Sequence, residues 1–260
     1  MRTLIASLLF MLSAVASAHP VVNDSGSLYC QLNSDSRFPP LKIDELAVTE
    51  NGTRQEFSRV KTEKFLFDLL AGWVDTLISS KDPLFVNRPK PLCVGLYDDS
   101  TGANAVAIGD GQIAFGAVLV GRTLRTFMDS ADYALTYVNA HEFAHILQAR
   151  LGLRFDYGAP GMRLDLLSTK IKELHADCMA GYLLEVHRQI PFTHQARLES
   201  FVRTLGDSHA VGDHGMPADR TAALQEGARL ANLDRVVGLT QIHAASAASK
   251  CGLKYRPQSF

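Results

Sequence analysis

Apolar residues recur along most of the chain at intervals of three and four, the spacing of one face of an α-helix. Residues 62–79 follow this pattern and predict an amphipathic helix. Asp129 or Ser130 is expected to cap a longer helix that Gly152 ends, and residues 244–249 are interpreted as a tail of small side chains. The same pattern, bounded by glycine, proline or capping residues, predicts helices over residues 116–127, 130–150, 165–188, 193–205 and 217–231.

Strand patterns lie in the middle of the chain. Residues 92–97 form an apolar run typical of a buried strand, and residues 105–108 and 112–115 flank a glycine-rich turn as in a β-hairpin. Residues 19 to about 60 are polar and include the turn signal Asn51-Gly52, so we predict irregular structure there with at most one short helix. The whole pattern predicts an α+β fold, mainly helical, with a small antiparallel sheet.

The composition is that of an ordinary globular protein. Of the 260 residues, 47% are hydrophobic and 20% are charged, with a mean hydropathy of +0.02. The formal net charge is −1 and the sequence pI is about 6.7. A general nucleic-acid-binding surface needs a basic excess, so no nucleic-acid partner is expected.

The N-terminus has the pattern of a secretory signal peptide. A short basic start precedes a run of apolar and small residues (4–18), and the run ends in Ala16-Ser17-Ala18. This run is shorter than the roughly 20 residues of a membrane span. We therefore predict cleavage after Ala18, a periplasmic or secreted mature protein and no stable membrane span; the alternative is an uncleaved N-terminal anchor. The chain then divides into the signal peptide (1–18), an N-terminal segment with one amphipathic helix (19–90) and a region that carries the candidate chemistry (91–260).

Four cysteines remain after the predicted cleavage site. An even number in an exported protein predicts two disulfides, and four cysteines allow three pairings. We favour Cys30 with Cys93 and Cys178 with Cys251, because the second pair would hold the C-terminal tail against a core helix. No two of them have the C-x-x-C spacing of a thiolate zinc site.

His141 and His145 lie four residues apart in the segment His141-Glu142-Phe143-Ala144-His145. On a helix both imidazoles project from the same face, with Glu142 beside them. Two imidazoles and a third ligand leave a fourth position on zinc for water, whose proton a neighbouring carboxylate can accept. The segment thus predicts a catalytic zinc site with Glu142 as general base. The alternative is two ordinary histidines on a helix that match the pattern by chance.

Glu173 and Asp177 form a similar pair on the next predicted helix. They are again four residues apart and so share one face. Burying two acidic groups on this otherwise apolar helix would be costly without a cation. We therefore predict that Glu173 binds the zinc and that Asp177 accepts a hydrogen bond from a ligand imidazole. The alternative is a solvated acidic edge.

Four segments, in this order, resemble gluzincin-type bacterial neutral zinc metallopeptidases. Residues 104–113 (NAVAIGDGQI) are similar to that family's N-A-F-A-x-G-x-G-x-I segment, and HEFAH to its H-E-x-x-H motif. Residues 173–182 (ELHADCMAGY) resemble E-L-x-A-D-x-x-A-G, and residues 213–220 (DHGMPADR) resemble a later H-G or H-P block that ends in arginine. The resemblance spans about residues 92–230. Val106 and His175 depart from the family pattern, which leaves the substrate preference open.

The resemblance implies a zincin-like core with the H-E-x-x-H motif on the active-site helix. It implies that His141, His145 and Glu173 bind zinc, that Glu142 is the general base and that Asp177 orients a ligand. It further implies that residues 104–108 are an edge strand that binds an extended peptide through its main chain. The substrate-binding residues implied there are Asn104, Ala105, Val106 and Ala107.

Two further residues are implied on the C-terminal side of the cleft. His214 is the candidate that stabilises the oxyanion of the reaction, with His209 as the competing residue. Arg220 is expected either to bind substrate or to support acidic residues. The other histidines have no partner in the sequence and are interpreted as surface or packing residues: His19, His175, His187, His194 and His243.

The function predicted from these residues is zinc-dependent hydrolysis of peptide bonds in a peptide or protein substrate. No serine or cysteine nucleophile arrangement is visible, so direct attack by water is expected. One alternative is an exported zinc-binding protein that keeps the site for structure or partner binding and does not cleave peptides. Another is a helical protein with an accidental motif. The natural substrate and the oligomeric state cannot be predicted from the sequence.

Overall fold

The computed structural model describes residues 38, 41, 45–50, 53–77, 92–99, 104–109, 111–155, 165–207, 214–239 and 243–256. Within them the chain is mainly helical, with two small sheets. The predicted signal peptide (1–18) lies outside these residues, so its cleavage stays a prediction. None of the described helices is long and apolar enough to cross a membrane.

The six predicted helices are present, with ends shifted by a few residues. One segment was predicted wrongly: residues 244–249 are not a tail but the start of a helix that packs against the core. Alanine is the strongest helix former, so this small-residue run is helical once it is packed. The described helices are α1 (Arg59–Leu77), α2 (Ala117–Phe127), α3 (Ala131–Arg150), α4 (Asp165–Val186), α5 (Phe192–Thr204), α6 (Pro217–Val236) and α7 (Ala244–Gly252).

An antiparallel hairpin precedes α1, where the sequence predicted irregular structure. Its strands are β1 (Glu45–Glu50) and β2 (Thr53–Ser58). Leu46 pairs with Phe57 across the strands, and both side chains are buried. One apolar pair is too little alternation for a strand prediction, although the Asn51-Gly52 turn signal was present in the sequence.

The second sheet has three strands. They are β3 (Cys93–Tyr97), β4 (Ala105–Ile108) and β5 (Gln112–Gly116), in the order β3-β5-β4. The predicted β4–β5 hairpin is confirmed, but β3 runs parallel to β5. The sheet is therefore mixed rather than antiparallel as predicted. Among the described strands, β4 lies at its edge.

Helix α3 lies in the middle of the fold and is buried on nearly every side. Its predicted core residues Val138, Phe143, Ile146 and Leu147 are all buried, and Phe143 stacks on Trp73 with ring centroids 5.9 Å apart. Ser130 precedes the helix, but its hydroxyl makes no capping hydrogen bond and contacts His194 and Arg197 instead. The helix ends as predicted at Gly152, whose φ of 68° is readily adopted by glycine.

Helix α4 is held closely between α6 and α7. The predicted disulfide between Cys178 and Cys251 is confirmed and joins α4 to α7. It indicates a non-reducing environment for the protein. Of the other predicted pair, Cys30 lies outside the described residues, so that pairing stays a prediction.

Two glycines allow the backbones of α4 and α6 to approach. A Cβ atom on Gly227 would lie 1.8 Å from the carbonyl oxygen of Cys178, and one on Gly181 would lie 2.0 Å from that of Leu224. Because both obstacles are backbone atoms, a methyl group there would push the helices apart. We expect Gly227→Ala to lower the free energy of unfolding by about 1–3 kcal/mol, as measured by urea denaturation.

Gly72→Ala is the matched control, since a Cβ atom there meets nothing within 4 Å. It lies in α1, where alanine is favoured over glycine by up to about 1 kcal/mol. We therefore expect it to be neutral or stabilising. Equal stability of the Gly227→Ala and wild-type proteins would contradict the close helix contact.

Candidate metal centre

Three predicted ligand side chains converge between α3 and α4. The Nε2 atoms of His141 and His145 lie 3.1 Å apart. One oxygen of Glu173 lies 3.0 Å from Nε2 of His141, and the other lies 3.2 Å from Nε2 of His145. The three residues are mostly buried. They are therefore positioned so that together they could hold a metal ion.

The far side of each imidazole faces a hydrogen-bond acceptor. Nδ1 of His141 lies 2.8 Å from a carboxylate oxygen of Asp177. Nδ1 of His145 lies 2.9 Å from the amide oxygen of Gln148. Nδ1 of His145 therefore carries a hydrogen, and the carboxylate beside Nδ1 of His141 favours a hydrogen there as well. Each Nε2 is the atom that faces Glu173 and is available to a metal. Two such nitrogens and a carboxylate form a donor set that fits a metal ion.

The charges around His141 favour a cation at this place. Burial disfavours the charged imidazole, but the carboxylates of Asp177 and Glu173 outweigh it and raise the pKa of His141 to about 10. Burial likewise opposes the Glu173 carboxylate, yet its contacts with the two histidines hold its pKa well below the usual range. In the protein without metal, a proton on His141 thus occupies the position that a metal would take.

Asp177 is completely buried beneath His141. Its carboxylate accepts hydrogen bonds from the Arg220 guanidinium at 2.8 and 2.9 Å and from the Tyr137 hydroxyl. Burial would raise the pKa of Asp177, but Arg220 and His141 hold it well below its usual range. The aspartate therefore remains charged 2.8 Å from Nδ1 of His141, and its predicted role in orienting that imidazole stays a prediction.

Arg220 is buried and makes its contacts inside the protein. Besides Asp177, it donates to the Leu205 carbonyl oxygen at 3.0 Å and to the Tyr137 hydroxyl at 3.2 Å. Of the two roles that the sequence left open, support of an acidic residue describes these contacts. The structure describes no contact of Arg220 with the open edge of the sheet, where the substrate was predicted.

Glu142 lies beside the cluster, between α3 and the edge strand. Its side chain is buried, and its carboxylate accepts a hydrogen bond from the backbone amide of Ala107 in β4. Burial raises the pKa of Glu142, although His141 and His145 partly oppose that shift. A carboxylate with a raised pKa is a better proton acceptor than an ordinary glutamate, so this environment suits a general base.

In strand β4, the main-chain groups of every second residue point to the edge that pairs with none of the described strands. The Gly116 amide donates to the Asn104 carbonyl oxygen at 2.8 Å, so in this register the main-chain groups of Ala105 and Ala107 face away from β5. The Asn104 side chain accepts a hydrogen bond from the Ala105 amide at 2.9 Å, and Glu142 accepts one from Ala107. Val106 instead pairs with Ala114 of β5. The outward main-chain groups of β4 thus lie next to Glu142.

His214 lies in the exposed turn before α6. Its Nδ1 is 3.6 Å from a carboxylate oxygen of Asp207, and its backbone amide donates to the other oxygen at 2.7 Å. The competing residue His209 lies outside the described residues. The predicted part of His214 in stabilising an oxyanion stays a prediction.

Sequence reasoning missed three residues around the centre: Tyr137, Gln148 and His175. Tyr137 and Gln148 continue the stripe of His141 and His145 along α3, and that spacing was the available signal. His175 is not a surface residue; it is completely buried and lies 3.0 Å from both Gln148 and the Ala248 carbonyl oxygen. Of the other histidines, His194 contacts Ser130, His187 is half-buried, His243 is exposed and His19 lies outside the described residues.

Comparisons with known proteins assign the chain to no family. No protein-family model matches the chain, and neither the curated proteins nor the solved structures contain a match. The resemblance of the motifs to zinc metallopeptidases therefore stays a prediction.

Proposed function

We propose that this protein is an exported zinc-dependent metallopeptidase of the gluzincin type. The observation that carries the proposal is the convergence of two Nε2 atoms and one carboxylate, with both Nδ1 atoms turned to acceptors. Among the common metals of proteins, zinc suits a set of two imidazoles and one carboxylate. The disulfide between Cys178 and Cys251 supports export, because such bonds persist in oxidising compartments.

Glu142 is the residue proposed to move protons. A bound zinc ion would polarise the scissile carbonyl and make a water molecule more acidic. Glu142 then accepts a proton from the attacking water and passes it to the leaving amine. Its burial beside the histidines, with the raised pKa described above, supports this role.

The substrate is proposed to bind along β4 as an extended peptide. A strand added to this edge would meet the outward carbonyl groups of Ala105 and Ala107, whose amides already donate to the Asn104 and Glu142 side chains. Because the Ala107 amide also contacts Glu142, a peptide on this edge would place its backbone near the general base. Peptide-bond hydrolysis is therefore favoured over reactions of small substrates that do not need a strand edge.

We expect the purified mature protein to contain about one zinc ion per chain, because three ligands already converge on one point. His141→Ala and Glu173→Ala should each lose this metal, since two ligands remain. Elemental analysis after equilibration with Zn²⁺ and removal of excess metal measures the content. Circular dichroism on the same samples reports whether each protein is folded.

His194→Ala is the matched control. His194 is a partly buried histidine that contacts Ser130 rather than the cluster, so its loss should leave the zinc content unchanged. A folded wild-type protein that takes up no zinc would contradict the proposed centre.

A further inference from the structure

Gln148 lies one helical turn beyond His145, and its side chain is almost completely buried, with 2% exposed. The amide makes three hydrogen bonds. Its Nε2 lies 3.0 Å from the Lys172 carbonyl oxygen and 3.0 Å from Nδ1 of His175, and its Oε1 lies 2.9 Å from Nδ1 of His145. The amide therefore connects α3 with the segment of α4 around Glu173.

The Lys172 carbonyl determines which way this amide points. A carbonyl oxygen can only accept, so the amide nitrogen must face Lys172 and the amide oxygen must face His145. That oxygen can only accept as well, so Nδ1 of His145 must carry the hydrogen. The remaining nitrogen of His145, Nε2, is then the one that faces Glu173.

His175 completes the arrangement from the other side. Its Nε2 lies 3.0 Å from the Ala248 carbonyl oxygen and so must donate a hydrogen, which leaves Nδ1 to accept from Gln148. Ala248 belongs to α7, which the disulfide from Cys251 to Cys178 joins to α4. Each contact from the Ala248 carbonyl through His175 and Gln148 to His145 thus joins one hydrogen-bond donor to one acceptor. The Nε2 atom of His145 is left without a hydrogen.

We propose that Gln148 and His175 are positioning residues that keep the hydrogen of His145 on Nδ1 and thereby present Nε2 to the metal. The inference rests on the metal centre of the proposed function. Without the Gln148 acceptor, the Nδ1 hydrogen would be buried without a partner, and the ring would lose its fixed orientation. Hydrogen-bond partners of metal-bound histidines typically contribute about 10- to 100-fold to metal affinity.

Zn²⁺ affinity, measured by competition with a chromophoric chelator, tests this arrangement. We expect Gln148→Met to bind Zn²⁺ about 10- to 100-fold more weakly than wild type. Gln148→Glu keeps an acceptor for Nδ1 of His145 but loses the donor to Lys172 and His175, so we expect it to recover only part of this loss. Gln189→Met is the matched control, since the Gln189 side chain accepts a hydrogen bond from Trp73 at 3.0 Å and is not part of the arrangement. It should retain the wild-type affinity.

The second readout is a long-range ¹H–¹⁵N spectrum of the histidine rings in zinc-loaded, ¹⁵N-labelled wild-type protein. We expect hydrogen on Nδ1 and metal on Nε2 of His145, and hydrogen on Nε2 of His175. Metal on Nε2 of His145 leaves its hydrogen on Nδ1 in either case, so the hydrogen on Nε2 of His175 is the signal that a merely structural role for Gln148 does not predict. This spectrum needs no variant, so metal on Nδ1 of His145 or hydrogen on Nδ1 of His175 would overturn the proposal even if Gln148→Met fails to fold.

The outcomes separate the two proposals. A wild-type protein that binds no Zn²⁺ overturns the metal centre itself. A wild-type protein that binds Zn²⁺ while folded Gln148→Met binds it equally well overturns the positioning role alone. Metal bound through Nδ1 of His145 would also overturn the positioning role alone, because Nδ1 could then not donate to Gln148.

Discussion

We expect the Glu142→Gln protein to hydrolyse peptides about 10²- to 10⁴-fold more slowly than wild type while it keeps its zinc. The amide has nearly the volume of the carboxylate and can still accept the hydrogen bond from the Ala107 amide. It cannot take a proton from water, so only the proton transfer is removed. The initial rate of cleavage of a peptide mixture, with cleavage sites identified by mass spectrometry, measures the effect, and elemental analysis verifies the zinc.

Glu185→Gln is the control for this substitution, because Glu185 pairs with Arg235 on the protein surface and lies outside the cluster. It should retain full activity. Cleavage by Glu142→Gln at the wild-type rate would exclude Glu142 as the base. A zinc-loaded wild-type protein that cleaves no peptide of a broad library would favour the exported zinc-binding protein without peptidase activity.

The largest effect on stability is expected from Arg220→Met. Asp177 is completely buried, and Arg220 is the permanent cation that pairs with it through two hydrogen bonds. Removing one partner of a buried ion pair leaves an uncompensated charge, which typically costs about 3–5 kcal/mol. We expect a loss of this size in the free energy of unfolding, measured by chemical denaturation at neutral pH.

Arg235→Met provides a matched comparison on the same helix. Arg235 pairs with Glu185 across the α4–α6 contact at 2.5 Å, but both side chains are partly exposed to solvent. Such pairs contribute about 0–1 kcal/mol, so this variant should lose little stability. Similar losses for the two arginine variants would contradict the idea that burial makes the Arg220–Asp177 pair important.

Local sequence patterns were enough to predict much of the fold. The helical period of the apolar residues placed six of the described helices, and the glycine-rich turn placed the β4–β5 hairpin. The hairpin of β1 and β2 was missed because its strands contribute a single buried apolar pair, Leu46 and Phe57. The parallel pairing of β3 with β5 also could not be read from local pattern, since it depends on how distant segments meet.

The sequence by itself determined which residues are available to form the candidate metal centre. His141 and His145 share a face because of the helical repeat, and the same repeat aligns Glu173 with Asp177; both are properties of neighbouring residues. Only the tertiary structure decided the partners of these groups. Tyr137, Arg220, Gln148 and His175 reach the centre because α3, α4, α6 and α7 pack together, and the glycines and the disulfide between those helices set their spacing. A hydrogen bond across helices depends on that spacing, which no local period encodes.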